Sequence, residues 1–297
     1  MLTPLLTGRI VAHLGKALLV ENNDGVTSRC KKRSQLEQPA VGDYVEWIQT
    51  EEGAGRVEKI LARKSLLSRP AKNGNTRPVA ANLNQIVVIL AVKPNIDPLL
   101  LDQYLIVCEF QEIAPLIVLN KVDLLDDESR QRTDELIGIY KAIGYEIIEV
   151  SAEEKTGLDT LRARLRDETS ILVGQSGVGK SSITNALLPD LELQTKVLST
   201  ASGLGKHTTT ATTLYKLPEG GDIIDSPGVN IFGLAHITEK TLAYGFREIR
   251  QYAEQCKFSD CMHLKEPKCA VKDNIDTGKI ANTRYLRYLK LRGKLSY

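Results

Sequence analysis

The eight residues Gly174-Gln175-Ser176-Gly177-Val178-Gly179-Lys180-Ser181 meet every fixed position of G-x-x-x-x-G-K-[ST]. An apolar run, Ile171 to Val173, precedes them, and a helix-compatible run, Ser182 to Leu188, follows. Strand, glycine loop and helix in that order make a phosphate cradle, because glycines let successive backbone N–H groups turn toward phosphate oxygens at the positive end of a helix. Lys180 is placed to reach β- and γ-phosphates, and the Ser181 hydroxyl to ligate an accompanying Mg²⁺.

Two further clusters narrow the ligand. Ala114 to Leu119 reads as a buried strand that delivers Asn120-Lys121-Val122-Asp123 at its carboxyl end, where open α/β sheets bind ligands. Asp123 there can accept from both N1–H and the N2 amine of guanine, a donor pair that adenine does not present. Asn120 is expected to fix the loop and meet the base edge, and the Lys121 stem to cover the ring. A strand from Glu146 to Val150 ends in Ser151-Ala152, where the Ala152 N–H can reach guanine O6. Asp222 to Gly228, DIIDSPG, ends a strand in D-x-x-G, so that Asp225 would hold the magnesium hydration shell and the Gly228 N–H would meet the γ-phosphate. Between these lies a Ser/Thr/Gly-rich stretch containing Lys206-His207-Thr208-Thr209-Thr210, any of whose threonines can close over Mg²⁺ and the γ-phosphate. Valine at 229, directly after the glycine, cannot orient an attacking water, so unaided hydrolysis is expected to be slow. His207 is the one polar substitute the sequence offers, and it reads equally well as a solvated loop histidine.

Cys256, Cys261, His263 and Cys269 follow with the spacing C-x4-C-x-H-x5-C. Three thiolates and an imidazole make a closed tetrahedral set for one structural Zn²⁺. Five cysteines in all, three of them in this cluster, suit a reducing compartment better than a disulfide framework.

The elements that must hold these groups read as a multidomain α/β protein. A chain of 297 residues exceeds one ordinary core. Residues 1–68 carry short alternating segments (Arg9 to Ala12, Val41 to Trp47, Gly55 to Leu61) and the turn Asn22-Asn23-Asp24-Gly25. That pattern predicts a small barrel of OB-fold type. Residues 69–84 read as a basic linker, and residues 85–233 as an α/β nucleotide-binding domain. Within the latter, helices are expected over Leu99 to Phe110, Glu128 to Ala142 and Leu158 to Arg166. Residues 234–297 are expected to form a helical zinc-binding module. Net charge is only +2, so any polyanion surface must come from local clusters. Arg29, Lys31, Lys32 and Arg33 form one, and the tail from Thr277, with Lys279, Arg284, Arg287, Lys290, Arg292 and Lys294, forms another. Each reads as an RNA phosphate face or as a solvated or docked surface. No stretch is long and apolar enough to span a membrane, and the amino terminus lacks a signal-peptide pattern, so a cytoplasmic protein is expected.

The base-reading motif precedes the phosphate loop, the reverse of the usual order, as a circular permutation of the domain would produce. NKVD, GQSGVGKSS, KHTTT, DSPG, the amino-terminal barrel and the Cys/His set together resemble the circularly permuted bacterial GTPases of the RsgA (YjeQ) type. One departure is Lys206, where that family often has arginine. The resemblance implies an OB-fold, a permuted P-loop GTPase domain and a zinc module. It also implies GTP binding by residues 120–123 and 174–182, zinc at 256, 261, 263 and 269, and a monomer that contacts the 30S subunit and 16S rRNA. GTP hydrolysis to GDP would be stimulated by the subunit during late maturation. Two other readings stay open: an RNA-binding nucleotide switch with little or no hydrolysis, and a GTPase that acts on tRNA or another RNA.

Overall fold

In a computed structural model the described residues are 4–15, 17–70, 76–190, 212–226 and 237–295. His207, Thr208, Thr209, Thr210 and Gly228 lie outside them. Five strands near the amino terminus, β1 (Leu5–Leu14), β2 (Ala17–Asn22), β3 (Thr27–Lys32), β4 (Tyr44–Glu51) and β5 (Ala54–Ile60), pair in the order β1-β2-β3-β5-β4. β4 returns to β1, which closes the barrel, and β3 runs parallel to β5. Alternate residues point inward, as period-two strands require, and Ile10, Val20, Cys30, Val45, Trp47 and Val57 fill the centre. The closed barrel is OB-like, as expected.

The stretch expected to be an exposed linker is instead a hairpin of β6 (Leu66–Pro70) and β7 (Thr76–Ala81). Leu67, Val79, Ala80 and Ala81 are buried, which explains why these segments pair rather than lie in solvent. The Ala81 N–H donates to the Val41 carbonyl at 2.9 Å, and Asn82 Nδ2 to the Gly42 carbonyl at 3.0 Å, so the hairpin is stitched to the barrel.

The central domain contains β8 (Gln85–Ala91), α1 (Pro98–Gln111), β9 (Ala114–Asn120), α2 (Asp127–Ile143), β10 (Ile147–Glu149), α3 (Leu158–Leu165), β11 (Thr169–Val173), α4 (Lys180–Leu187), β12 (Thr213–Lys216) and β13 (Asp222–Asp225). Their sheet order is β10-β9-β8-β11-β13-β12, parallel except for β12. Every residue of β8 is buried, as a central strand covered on both faces demands. Ile86, Val88 and Leu90 face α1 and α2, while Val87, Ile89 and Ala91 face α3 and α4. Parallel strands bring the carboxyl ends of β9, β10, β11 and β13 to one edge of the sheet, where the sequence motifs sit.

Among the described residues of the carboxyl-terminal part, three α-helices follow: α5 (Arg247–Ala253), α6 (Ala270–Asp276) and the longer α7 (Asn282–Leu295). They pack on α1, whose Leu101 and Leu105 face the sheet and whose Ile106 faces the carboxyl-terminal core around Phe246 and Tyr288. Burial on both sides accounts for the nearly uniform apolar texture of α1.

Candidate functional site

β11 ends at Val173 and α4 begins at Lys180, so residues 174–179 form the loop between them. Gly179 has φ +94, and a Cβ there would lie 2.3 Å from Asn120 Nδ2. Gly174 has φ +148, and a Cβ would lie 2.2 Å from the Ile89 carbonyl oxygen. Both positions therefore need glycine for conformation and for space. Lys180 Nζ donates to the carbonyls of Gly174 and Gln175, each at 2.7 Å, across the mouth of the loop. A bound phosphate would compete for the same ammonium. Burial lowers the Lys180 pKa, and Asp225 pulls it back up. Burial likewise raises Asp225, and Lys180 draws it down. The pair sets a cation and a carboxylate at the loop, the disposition needed for a phosphate and its metal ion. Ser181 and Ser182 are exposed in the first turn of α4, and the Val178 side chain is buried behind the loop.

Asn120 joins three loops. Its side chain is buried, its Nδ2 donates to the Val178 carbonyl at 2.9 Å, and its Oδ1 accepts from the Ala152 N–H at 3.2 Å. The asparagine thus ties the phosphate loop to the loop after β10 while standing in the base-reading loop itself. The Ala152 N–H, expected to face a guanine oxygen, is here engaged with Asn120. Lys121, at φ +62, spans the other way, its Nζ donating to the carbonyls of Gly177 at 2.6 Å and Lys93 at 2.9 Å. Asp123 is exposed in the 3-10 turn Val122–Leu124, open to a ligand. Ser151 is fully buried, and its Oγ accepts from the Glu154 N–H at 3.0 Å, holding the Ala152 loop.

Two groups that the motifs did not single out belong to this neighbourhood. Thr212 Oγ1 and Ser226 Oγ lie 2.9 Å apart and clasp the ends of β12 and β13 that lead away toward residues 211 and 227. The Lys93 carbonyl anchors Lys121. No sequence pattern marks either, because each matters only through its partner.

The cysteine and histidine cluster forms as its spacing suggested. The four ligand atoms of Cys256, Cys261, His263 and Cys269 lie within 4.8 Å of one another. Cys256 Sγ is 3.9 Å from Cys269 Sγ and 3.6 Å from His263 Nδ1, which is 3.5 Å from Cys269 Sγ. Zn–S bonds of about 2.3 Å and Zn–N bonds of about 2.0 Å give tetrahedral edges of roughly 3.5 to 3.8 Å, so the set can hold a metal ion. α7 steadies the loop: Tyr285 Oη donates to the His263 carbonyl at 2.6 Å and Tyr288 Oη to that of Met262 at 3.1 Å. The Glu266 carboxylate accepts from the N–H groups of Met262 and Leu264.

The basic tail helix is not a free cationic face. Arg284 is 1% exposed; its Nε and Nη2 donate to Glu248 at 2.6 and 3.1 Å, and its Nη1 pairs with Asp102. Arg287 donates to Asp102 at 2.5 Å, and Arg292 pairs with Glu239 at 2.6 Å. Three of the six tail cations are therefore spent on docking, whereas Lys279, Lys290 and Lys294 are exposed. The two acidic residues of α1 both serve this docking, Asp102 toward α7 and Glu109 toward Arg247 and Arg250 of α5.

Among the described residues no helix is long and apolar enough to cross a membrane. The family model described as RsgA GTPase matches residues 60–235. The small ribosomal subunit biogenesis GTPase RsgA of Pectobacterium carotovorum is 46% identical over 290 residues, covering 96% of this chain and 83% of that protein. Its namesake from Yersinia enterocolitica is 43% identical over 292 residues, with the same coverage. Among solved structures, YjeQ from Thermotoga maritima superposes with a TM-score of 0.81 at 33% identity, covering 98% of this chain and 99% of that one. The structure described as YloQ, a circularly permuted GTPase, gives 0.78 at 29% identity, with 99% and 96% covered. With a phosphate loop in mid-chain, a base-reading loop ahead of it and relatives matching nearly end to end, the chain belongs to the RsgA GTPase family.

Proposed function

We propose that this protein hydrolyses GTP in the service of small ribosomal subunit biogenesis, as its relatives' names state for them, and does so in the cytoplasm as a monomer. The observation that carries the reading is Asn120, which fastens the phosphate loop at Val178 and the Ala152 loop to the segment that presents Asp123. One side chain holds in register the groups suited to a phosphate chain and those suited to a guanine edge. Lys180, Ser181 and Asp225 would hold the phosphates and Mg²⁺, which supplies charge neutralisation at the phosphates. His207 and one of Thr208, Thr209 and Thr210 would act from the segment between α4 and β12, and Gly228 from the segment after β13. The Cys/His set would hold one structural Zn²⁺ and fix the loop over 256–269. Arg29, Lys31, Lys32 and Arg33, all exposed on or next to β3, suit contact with 16S rRNA phosphates.

GTP hydrolysis with purified 30S and 50S subunits, each added separately, tests the reading. Turnover is expected to rise with 30S alone. No response to either subunit would refute it. Val229 supports a second reading, a nucleotide switch that binds RNA without hydrolysis; single-turnover GTP cleavage in the presence of 30S would dismiss that.

A further inference from the structure

The barrel and the nucleotide-binding domain meet along an open cleft of about 340 Å³ that none of the motifs explains. β1 forms one wall, and β12 and β13 form the other. β1 joins the larger sheet at Ala12, opposite Thr213. At the mouth stands Tyr44, 47% exposed although it begins a barrel strand. The Arg9 guanidinium carbon lies 5.2 Å from its ring centroid. Arg9 is itself held, donating to Asp222 at 2.5 Å and to Thr169 Oγ1 at 3.0 Å. Across the cleft Lys216 pairs with Glu21. Two cations and two carboxylates line the cleft, all paired, so its walls carry no net charge.

A neutral cleft with a ring at its mouth does not attract phosphate. It suits a flat, uncharged, hydrogen-bonding group that can stack. We propose that this cleft takes one unstacked base of single-stranded RNA, stacked on the exposed Tyr44 ring at its mouth. This rests on the RNA-contact reading above and adds where a base, as distinct from the backbone, is held. Arg9 beneath the ring orients it and enriches the stack by cation–π attraction. The backbone of the same strand has a path, because β2, whose end lines the cleft, pairs with β3, where Arg29 and Lys31 point outward. A base within a duplex cannot enter, since its faces are already stacked. An exposed cationic row on β3, with β5 between it and the strand that carries the ring, favours a polyanion over a peptide as occupant.

The test is fluorescence anisotropy of the full chain with a labelled single-stranded RNA 12-mer of mixed sequence, titrated over a range of salt. Loss of one base–ring stack is expected to weaken binding by Tyr44→Ala about tenfold, and Tyr44→Phe is expected to stay within twofold of wild type. The slope of log affinity against log salt is expected to be the same in all three proteins, because no phosphate contact is removed. A matched melting curve for Tyr44→Ala establishes that the barrel is intact. The proposal is overturned if Tyr44→Ala binds like wild type, if Tyr44→Phe is as weak as Tyr44→Ala, or if Tyr44→Ala flattens the salt slope. Normal 12-mer binding with weakened 30S co-sedimentation would assign the cleft to a protein contact, which also overturns it. Failure of wild type itself to bind either the 12-mer or 30S would sink the broader RNA reading, a result distinct from any of these.

Discussion

Arg284→Ala should destabilise the carboxyl-terminal module where it docks on the nucleotide-binding domain, and the structure sets the size of the loss. The substitution removes two hydrogen bonds to Glu248, the side-chain ones it receives among the described residues, and one of several to Asp102; Glu248 is 6% exposed. Asp102 keeps Arg287 at 2.5 Å and the Tyr140 hydroxyl at 2.5 Å, so it remains satisfied. Glu248 does not. Breaking a buried pair by deleting one partner costs about 3–5 kcal/mol, since a charge is left without compensation. The guanidinium also stacks near Phe246, 4.7 Å from the ring centroid, and that contact goes too. Burial alone would push Arg284 down, yet the Asp102 and Glu248 carboxylates outweigh it and hold the group above its ordinary value, so it stays charged at any working pH. At roughly 2–4 °C per kcal/mol for a domain of this size, the first thermal transition should fall by about 10 °C.

Circular dichroism melts at fixed protein concentration measure this. The double substitution Arg284→Met with Glu248→Leu, which removes both charges and keeps volume, should recover most of the loss. A drop in Arg284→Ala equivalent to less than about 1 kcal/mol, the scale of a solvated pair, would mean that Arg284 is free in solution. The reading of α7 as a docked helix would then be wrong, and its cations would again be open to RNA.

Gly179→Ala places a methyl 2.3 Å from Asn120 Nδ2 at a left-handed φ, and it should weaken GTP binding by tenfold or more in a fluorescent-nucleotide titration while leaving the melting curve nearly unchanged. Metal analysis should find one Zn²⁺ per chain, and a chelator or Cys269→Ser should lower the melting temperature of the carboxyl-terminal module without changing nucleotide affinity. His207→Ala should abolish subunit-stimulated turnover and leave nucleotide affinity within about twofold; unchanged stimulation would remove His207 from the chemistry. Hydrogen exchange with a GTP analogue against GDP should alter protection in β1 and β12 but not in α7, and equal change in α7 would contradict the two attachments described above.

The nucleotide-binding half was readable because its chemistry is local. Gly174 to Ser181 and Asn120 to Asp123 each sit on consecutive residues at the end of one strand, and the apolar runs Ile86 to Ala91 and Leu116 to Leu119 announce a buried parallel sheet. Asn-Gly at 73–74 lies between the short apolar runs at Leu66-Leu67 and Val79-Ala80-Ala81, a hairpin signal that the surrounding charges obscured. The tail misled for a different reason. Arg284 and Arg287 find their carboxylate on α1, 182 and 185 residues upstream, and no pattern within α7 can show that a cation is destined for the interior.

The two flanking modules grip the central domain at places that differ in what they can transmit. The carboxyl-terminal helices hold α1 through Arg284 and Arg287 on Asp102 and through Arg247 and Arg250 on Glu109, with Glu248 bracing Arg284 from within the module, and deleting one partner of such a buried pair costs about 3–5 kcal/mol. Coupling free energies between sites on one protein are typically about 1–3 kcal/mol, too small to open such a joint. The barrel's joint is spread over smaller pieces: the ladder pair at Ala12 and Thr213, the His13 N–H to the Thr212 carbonyl at 3.3 Å, Arg9 on Asp222 and Thr169, Lys216 on Glu21, and Val11, Ala12 and Leu19 in one buried cluster with Leu214 and Ile224. Most of its contacts fall on β12 and β13, the strands that lead to the threonine segment on one side and out of Asp225 on the other. Work done around the γ-phosphate therefore has a short path to the barrel, along the two strands that carry these contacts. A larger exchange response in β1 than in α7 is the expected sign of that path.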